Sequence, residues 1–268
     1  MERRCPEGDG GPAVGSATAD GVVTITINRP RRRNALDDAT WVALERALTA
    51  VGHDPAARVL VLTGAGGHFC AGADISTAPA ERHPLRRMWS HNEVALRLRE
   101  ITIPTIAKVS GAAVGAGWNL ALGCDLVIAD TTARFSQIFT SRGLSPDLGG
   151  TWFLPRLVGM QQAKRLALLA EVIDTAEAER LGLVTQVVEA GELDGVVAGL
   201  ARRLAAAPPV ALALTKRLLD ENVDRPLREA LESEAWAQAV NFAGVDPAEG
   251  YASFRERRVP RFTGEWAL

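Results

Sequence analysis

The sequence has only three cysteines, Cys5, Cys70 and Cys124, far apart and without a CxxC pair. Neither a disulfide framework nor a cysteine-based zinc site is indicated, and a reducing, cytoplasmic setting is expected. The four histidines, His53, His68, His83 and His91, form no HExxH pattern, so no metal is expected. A surplus of positive charge is also missing: 30 Lys and Arg against 32 Asp and Glu leave a net charge of -2. That excludes the basic footprint of a nucleic-acid binder. The longest uncharged run, Val109 to Cys124, is shorter than a bilayer crossing and is interrupted by Ser110, Asn119 and several glycines, so no membrane segment is expected. Residues 1–20 lack the apolar stretch of a secretory signal and, being rich in Gly, Glu, Asp and small residues, read as a mobile N-terminal extension.

The 268 residues, 47% apolar and 23% charged, have an ordinary globular composition and are enough for one large domain with an appended element. VVTITIN (Val22 to Asn28) alternates like a half-buried strand, and RVLVLT (Arg58 to Thr63) is a second, more continuously apolar one. Between them Asp37 or Asp38 can cap a helix whose apolar residues Trp41, Leu44, Leu48 and Val51 recur at helical spacing. The pattern continues with a helix from about His83 to Glu100, strands at Thr105 to Val109 and Asp125 to Ala129, and a glycine-rich turn leading into a helix near Trp118 to Leu122. Alternation of this kind predicts an α/β core, taken as residues 21–200. From Gly150 onward, one further strand at Leu183 to Val188 apart, helices dominate: Gln161 to Ala170, Ala176 to Leu181, Glu192 to Ala206, Val210 to Glu221 and Leu227 to Phe242. Residues 201–268 are accordingly read as a C-terminal helical region.

Two glycine-rich turns follow strands, and neither fits a nucleotide motif. Gly64, Gly66 and Gly67 leave Phe69 where GxGxxG needs its last glycine, and neither GxxxxGK[ST] nor the GxSxG nucleophile elbow occurs. What the turns do offer is backbone N–H donors. VGAGWNLAL (Val114 to Leu122) places small residues at a helix start, where the first amides lack internal partners and the dipole favours negative charge. The AGAD turn around Gly72 and Ala73 could bring a second N–H to the same point, making an oxyanion hole; tight strand-to-helix packing is the competing reading of either turn alone. The early arginines Arg29, Arg31, Arg32 and Arg33 and the late ones Arg255, Arg257, Arg258 and Arg261 are two candidate anion sites or two solvated charge clusters.

NRPRRRNAL (Asn28 to Leu36), VLTGAGGHFCAGADI (Val61 to Ile75), IAKVSGAAVGAGWNLALGCDLVIA (Ile106 to Ala129) and LPRLVG (Leu154 to Gly159), in that order, closely resemble the enoyl-CoA hydratase/isomerase, or crotonase, superfamily. The resemblance covers residue 21 to Phe262. It implies a spiral of ββα units with C-terminal helices that form a homotrimer, often a dimer of trimers. The implied ligand is an acyl-CoA thioester, with coenzyme A part of the substrate and no separate cofactor. Carried over by motif, the N–H groups of Ala73 and Ala116 hold the thioester oxygen, and Ala71, Asp74, Ile75, Gly115 and Gly117 flank it. Arg33, with Arg258 and Phe262 from a neighbouring subunit, is implied at the nucleotide end.

Hydratases of this superfamily use two glutamates where this chain has Asn119 and Phe139, and neither of these can move a proton onto or off water. Asp147, in SPDLGG, stands instead where several isomerases and a dehalogenase of the superfamily carry a catalytic aspartate. The surrounding sequence, Phe135 to Leu169, resembles the ring-epoxide isomerases of phenylacetyl-CoA catabolism. Trp89, Trp118, Phe139 and Trp152 are candidates for an aromatic-lined pocket or for the core. The expectation is an isomerase acting on an unsaturated or epoxidised acyl-CoA with Asp147 as the base. A hydratase using other groups, a hydrolase with Asp147 as nucleophile and a catalytically silent acyl-CoA-binding subunit stand as alternatives.

Overall fold

The structure, a computed structural model, describes residues 11–76 and 83–267. Its first strand, β1 (Val14–Ala19), pairs antiparallel with β2 (Val22–Ile27) in a register running from Val14↔Ile27 to Ala19↔Val22. This corrects the expected extension over residues 1–20, of which residues 1–10 lie outside the described residues. The turn explains the pairing: Asp20 (φ 50°) and Gly21 (φ 75°) are both left-handed, as a two-residue type I′ hairpin requires. In β2 the period of two buries Val23, Ile25 and Ile27 on one face.

Helix α1 (Asp38–Gly52) starts at the Asp37 cap, whose carboxylate accepts the Thr40 N–H at 2.8 Å, and it buries Trp41, Leu44, Leu48 and Val51. The chain then runs through β3 (Val59–Gly64), α2 (Pro84–Glu100), β4 (Thr105–Val109), β5 (Ala112–Val114), α3 (Ala116–Leu122), β6 (Leu126–Asp130), β7 (Arg134–Ser136) and α4 (Gly150–Leu169). After these come β8 (Val172–Asp174), α5 (Thr175–Arg180), β9 (Gln186–Val188), α6 (Leu193–Ala205), α7 (Pro209–Asn222), α8 (Leu227–Phe242) and α9 (Asp246–Glu256). The main sheet has the order β1-β2-β3-β4-β6-β9 and is parallel except at β1; a second sheet has the order β5-β7-β8.

Single bridges Leu36↔Ala73 and Cys70↔Ala113 continue the second layer towards the N-terminus. Each turn of the chain therefore runs from a strand of the main sheet, through a short extended piece in the second layer, into a helix: β3, Cys70 to Ala73, α2; β4, β5, α3; β6, β7, α4. This is the ββα spiral.

Helix α4 reaches further towards the N-terminus than expected. Gly149, Gly150, Pro155 and the break at Gly159 (φ 71°, ψ 166°) weaken its helical pattern before Gln161. The division at residues 200 and 201 cuts α6, whose Leu193, Val197 and Ala201 are buried against Val59, Val61, Ile106 and Ile128 of the sheet. The separate helical region begins at α7, which among its described residues has none buried, and α8 buries only Ala237. Leu219, Leu231, Trp236, Phe242 and Phe254 leave apolar surface on these last helices.

The two layers meet most tightly where α3 starts. A Cβ on Gly117 would stand 2.1 Å from the Cys70 carbonyl oxygen, which is fixed backbone. Gly117→Ala is therefore expected to destabilise the fold by at least about 1–3 kcal/mol, lowering Tm by roughly 2–4 °C per kcal/mol. An unchanged calorimetric Tm would show that α3 does not need this close approach.

Candidate active site

The loop from Gly64 to Asp74 is held from two sides. On one, the backbone pairs with β5 and the residues before it: Phe69 N–H to Ser110 O at 2.8 Å, Cys70 N–H to Ala112 O at 2.9 Å and Val114 N–H to Cys70 O at 2.9 Å. On the other stands Asn34, fully buried with φ 58°. Its amide donates to Ala65 O (2.8 Å) and His68 O (2.6 Å), while its oxygen accepts the Arg29 N–H at 2.8 Å. The Arg29 guanidinium donates to Ala35 O and pairs with Asp37 (2.8 Å) and Asp74 (3.0 Å).

Arg29 is thus an internal clamp and belongs to no anion site. Asp74, expected at the ligand, is committed in the same way. Burial raises its pKa, but hydrogen bonds from Ser76 and the pairing with Arg29 outweigh burial and leave its carboxyl below the usual range. Its contribution is to hold the turn. Asn34 and Arg29 were not identified as loop supports from sequence, although both lie inside the NRPRRRNAL segment.

These clamps bring the AGAD turn against α3. Gly72 has φ 90°, and a Cβ there would lie 2.8 Å from Val114 O and 3.6 Å from Ala116 N. The Leu36 strand bridge uses Gly72 O and the Asp74 N–H, leaving the intervening Ala73 N–H outside that pairing. Ala116 is the first residue of α3, so its N–H has no acceptor within the helix. Gly115 presents it with φ 56°, a conformation that favours glycine. The two turns expected to supply N–H donors are therefore adjacent, and Phe139 covers the second, its ring 3.6 Å from where a Gly115 Cβ would be. Ala73 and Ile75 are solvent-exposed, while Ala71 is half-buried with its N–H on Arg33 O at 3.0 Å. That bond places the exposed Arg33 beside the turn.

Asp147 is joined to the same helix. Asn119 lies one turn after Ala116, about 4.5 Å along the axis, and its side-chain amide donates to Asp147 O at 2.8 Å. The Asn119 oxygen in turn accepts from Gln137 at 2.7 Å. Asn119 is almost wholly buried and supports the Asp147 loop. The loop closes with Leu148 (φ 45°) and Gly149 (φ 81°) left-handed, and Gly150 leaves the space that Asn119 fills. The Asp147 carboxylate has one buried oxygen, Oδ1, without a hydrogen-bond partner among the described residues. Burial pushes its pKa up to about 6, partly offset by a hydrogen bond from its own backbone N–H.

Other expected residues lie elsewhere. Trp118 is core, buried against Phe135. Trp152 stacks between Arg99 and Arg156 on the wall of a cavity of about 510 Å³ shared with α7, because its position on α4 turns it to that side. Arg258 is held by Glu249 and Glu256 near the end of α9, and Phe262 lines a cavity of about 640 Å³ among the last helices. Neither cavity is lined by Ala73, Ala116 or Asp147; Arg258 and Phe262 are expected at the ligand from a neighbouring subunit. Trp89 is exposed on α2.

Residues 17–265 match the enoyl-CoA hydratase/isomerase family, and the chain belongs to that family. It is 38% identical over 251 residues to the 1,2-epoxyphenylacetyl-CoA isomerase of Escherichia coli, covering 91% of this chain and 96% of that protein. It is equally 38% identical over 244 residues to the crotonyl-CoA hydratase of Syntrophomonas wolfei, covering 90% and 94%. A solved structure of an enoyl-CoA hydratase from Bacillus anthracis matches with TM-score 0.91 at 32% identity, over 95% of this chain and 100% of that one. The chain is therefore a family enzyme with the crotonase fold, and its relatives carry both isomerase and hydratase names.

The raised pKa of Asp147 has a consequence for stability. A carboxyl that titrates near 6 when folded and near 4 when unfolded holds more protons in the folded state between those values, so stability falls as pH rises from about 4 to 6. Asp147→Asn removes that penalty. It should stabilise the protein at pH 7 by up to about 3 kcal/mol, with the gain shrinking towards zero near pH 4. A Tm difference independent of pH would contradict the buried-carboxylate assignment.

Proposed function

We propose that the protein is an acyl-CoA isomerase that moves a proton between carbons near the thioester of an unsaturated or epoxidised acyl-CoA. The observation that carries this is the half-buried Asp147 carboxylate, with an unpartnered oxygen, on a loop pinned to the helix that begins with Ala116. The reading is supported further by the two hydratase places, where Asn119 has both ends of its amide engaged and Phe139 cannot titrate.

The thioester carbonyl oxygen accepts from the N–H groups of Ala73 and Ala116. Asp147 takes a proton from carbon, the electron pair moves towards the carbonyl, and the two donors hold the developing oxyanion in a partly water-excluded place. The same carboxyl then returns the proton to a different carbon, so the double bond shifts and no water enters the product. A pKa near 6 suits both halves of this cycle, because the group is ionised at neutral pH yet basic enough to take a proton. No step needs a cofactor.

Arg33, at the rim of the AGAD turn, would bind a phosphate of coenzyme A, which the planar guanidinium can hold with two hydrogen bonds. Arg258 and Phe262 would join it from a neighbouring subunit of a homotrimer or dimer of trimers. The apolar surface on α7, α8 and α9 supports such an assembly, since exposed patches of this kind mark interaction surfaces.

Two variants test the roles. Asp147→Asn should bind acyl-CoA normally but lose isomerisation and solvent deuterium exchange by roughly 10²- to 10⁴-fold. Ala116→Pro removes one donor at a helix position that accepts proline, so kcat should fall by about 10²- to 10³-fold with the fold intact. Wild-type exchange in the first variant, or wild-type turnover in the second, would overturn the respective assignment.

A further inference from the structure

Gln137 lies just after β7, fully buried, and has no part in the proton transfer described above. Its surroundings fix the direction of a short hydrogen-bond chain. Asp147 O is a carbonyl and can only accept, so the Asn119 group facing it at 2.8 Å must be Nδ2. Asn119 Oδ1 is then left facing Gln137 and can only accept, so the Gln137 group at 2.7 Å must be Nε2. The chain runs from β7 through α3 to the loop of Asp147, and its far end, Gln137 Oε1, is buried without a partner among the described residues. A buried amide oxygen with no donor costs free energy, so the glutamine is not explained by packing alone. An apolar side chain of the same length would avoid that cost.

Asn119 has little freedom of its own. It is bounded by Gly150, where a Cβ would stand 2.6 Å from Nδ2, and it sits on the helix that presents the Ala116 N–H. We infer that Gln137 is a positioning residue that locks the Asn119 amide, and through it the backbone of Asp147, in register with the paired N–H donors. The inference rests on the isomerase reading, because it assigns Gln137 to the placement of that reading's base. Gln137 touches no reacting atom in this scheme. Its effect is to hold the carboxylate loop against α3 and to keep water from the carboxylate.

The test uses the full-length protein and its isomerisation of an enoyl-CoA thioester. Gln137→Met keeps length and apolar volume but removes the donor. A packing role predicts unchanged catalysis, whereas the positioning role predicts that kcat falls by at least about tenfold, since a misplacement on the order of 1 Å in a reacting group can cost 10²-fold, while KM stays within about twofold. The acid limb of the kcat–pH profile should also move to lower pH, because a looser loop hydrates Asp147 and its carboxyl relaxes towards the ordinary range. Asn119→Leu is the second variant: it preserves size but removes the donor to the Asp147 carbonyl, and it should show the same kcat loss and shift. It also serves if Gln137→Met fails to fold.

A folded Gln137→Met with kcat within about twofold of wild type and an unmoved acid limb overturns the inference; so does a wild-type profile in Asn119→Leu when the methionine variant does not fold. Measuring Asp147→Asn alongside separates the two claims. If Asp147→Asn is inactive while Gln137→Met is unaffected, only the positioning role is lost; if Asp147→Asn keeps activity, the isomerase reading itself is lost.

Discussion

Much of this structure depends on a two-ended backbone pairing at Cys70. Its N–H donates to Ala112 O and its carbonyl accepts from Val114, each at 2.9 Å, and this stitches the loop after β3 to the segment that opens α3. The pairing forces the chains close enough that Gly72 and Gly117 have no room for a Cβ. Closeness is also what makes the site possible. Two N–H groups from segments some forty residues apart in sequence can meet only if their backbones are in contact, and side chains larger than hydrogen would hold them apart.

Around this contact the molecule places buried polar groups that would otherwise be costly. Asn34 and Arg29 satisfy carbonyls and carboxylates on the outer side of the loop, and Asn119 and Gln137 do the same between α3 and Asp147. Most of these groups are hydrogen-bonded, as buried polar groups must be. Two atoms without a partner among the described residues, Asp147 Oδ1 and Gln137 Oε1, lie at the two ends of the network that joins the loop to β7. A carboxylate oxygen left without a donor is unfavourable for the folded state and favourable for a base, because burial costs its anion more than the one backbone hydrogen bond returns.

Parts of this were legible in the sequence and parts were not, for physical reasons. Strands and helices of the core show their period directly, as in VVTITI and the Trp41, Leu44, Leu48 face of α1. The pair Asp20-Gly21 is a hairpin signal, but the polar composition around it masks β1, which on composition reads as part of an extension. The first half of α4 was obscured by its glycines and Pro155, and α6 was divided because its sheet-facing side becomes apparent only once the sheet exists. The two glycine-rich turns are visible as local motifs, and Asp147 stands out only through the family resemblance. The supports are not visible in either way, since Asn34 acts on carbonyls 31 and 34 residues away and Gln137 on an amide 18 residues away, with no local pattern that reveals it. Trp152 adds a further limit: a motif says what residue stands at a place, but not that its helix turns it towards Arg99 and Arg156.

The central claim is that the two N–H donors and one carboxylate carry out proton transfer without adding water. The most direct measurement is mass spectrometry of the products formed by the wild-type enzyme from an enoyl-CoA thioester in deuterium oxide. The account predicts deuterium on carbon and a shifted double bond, with no water molecule gained. Conversion to a hydroxyacyl-CoA as the main product would contradict it.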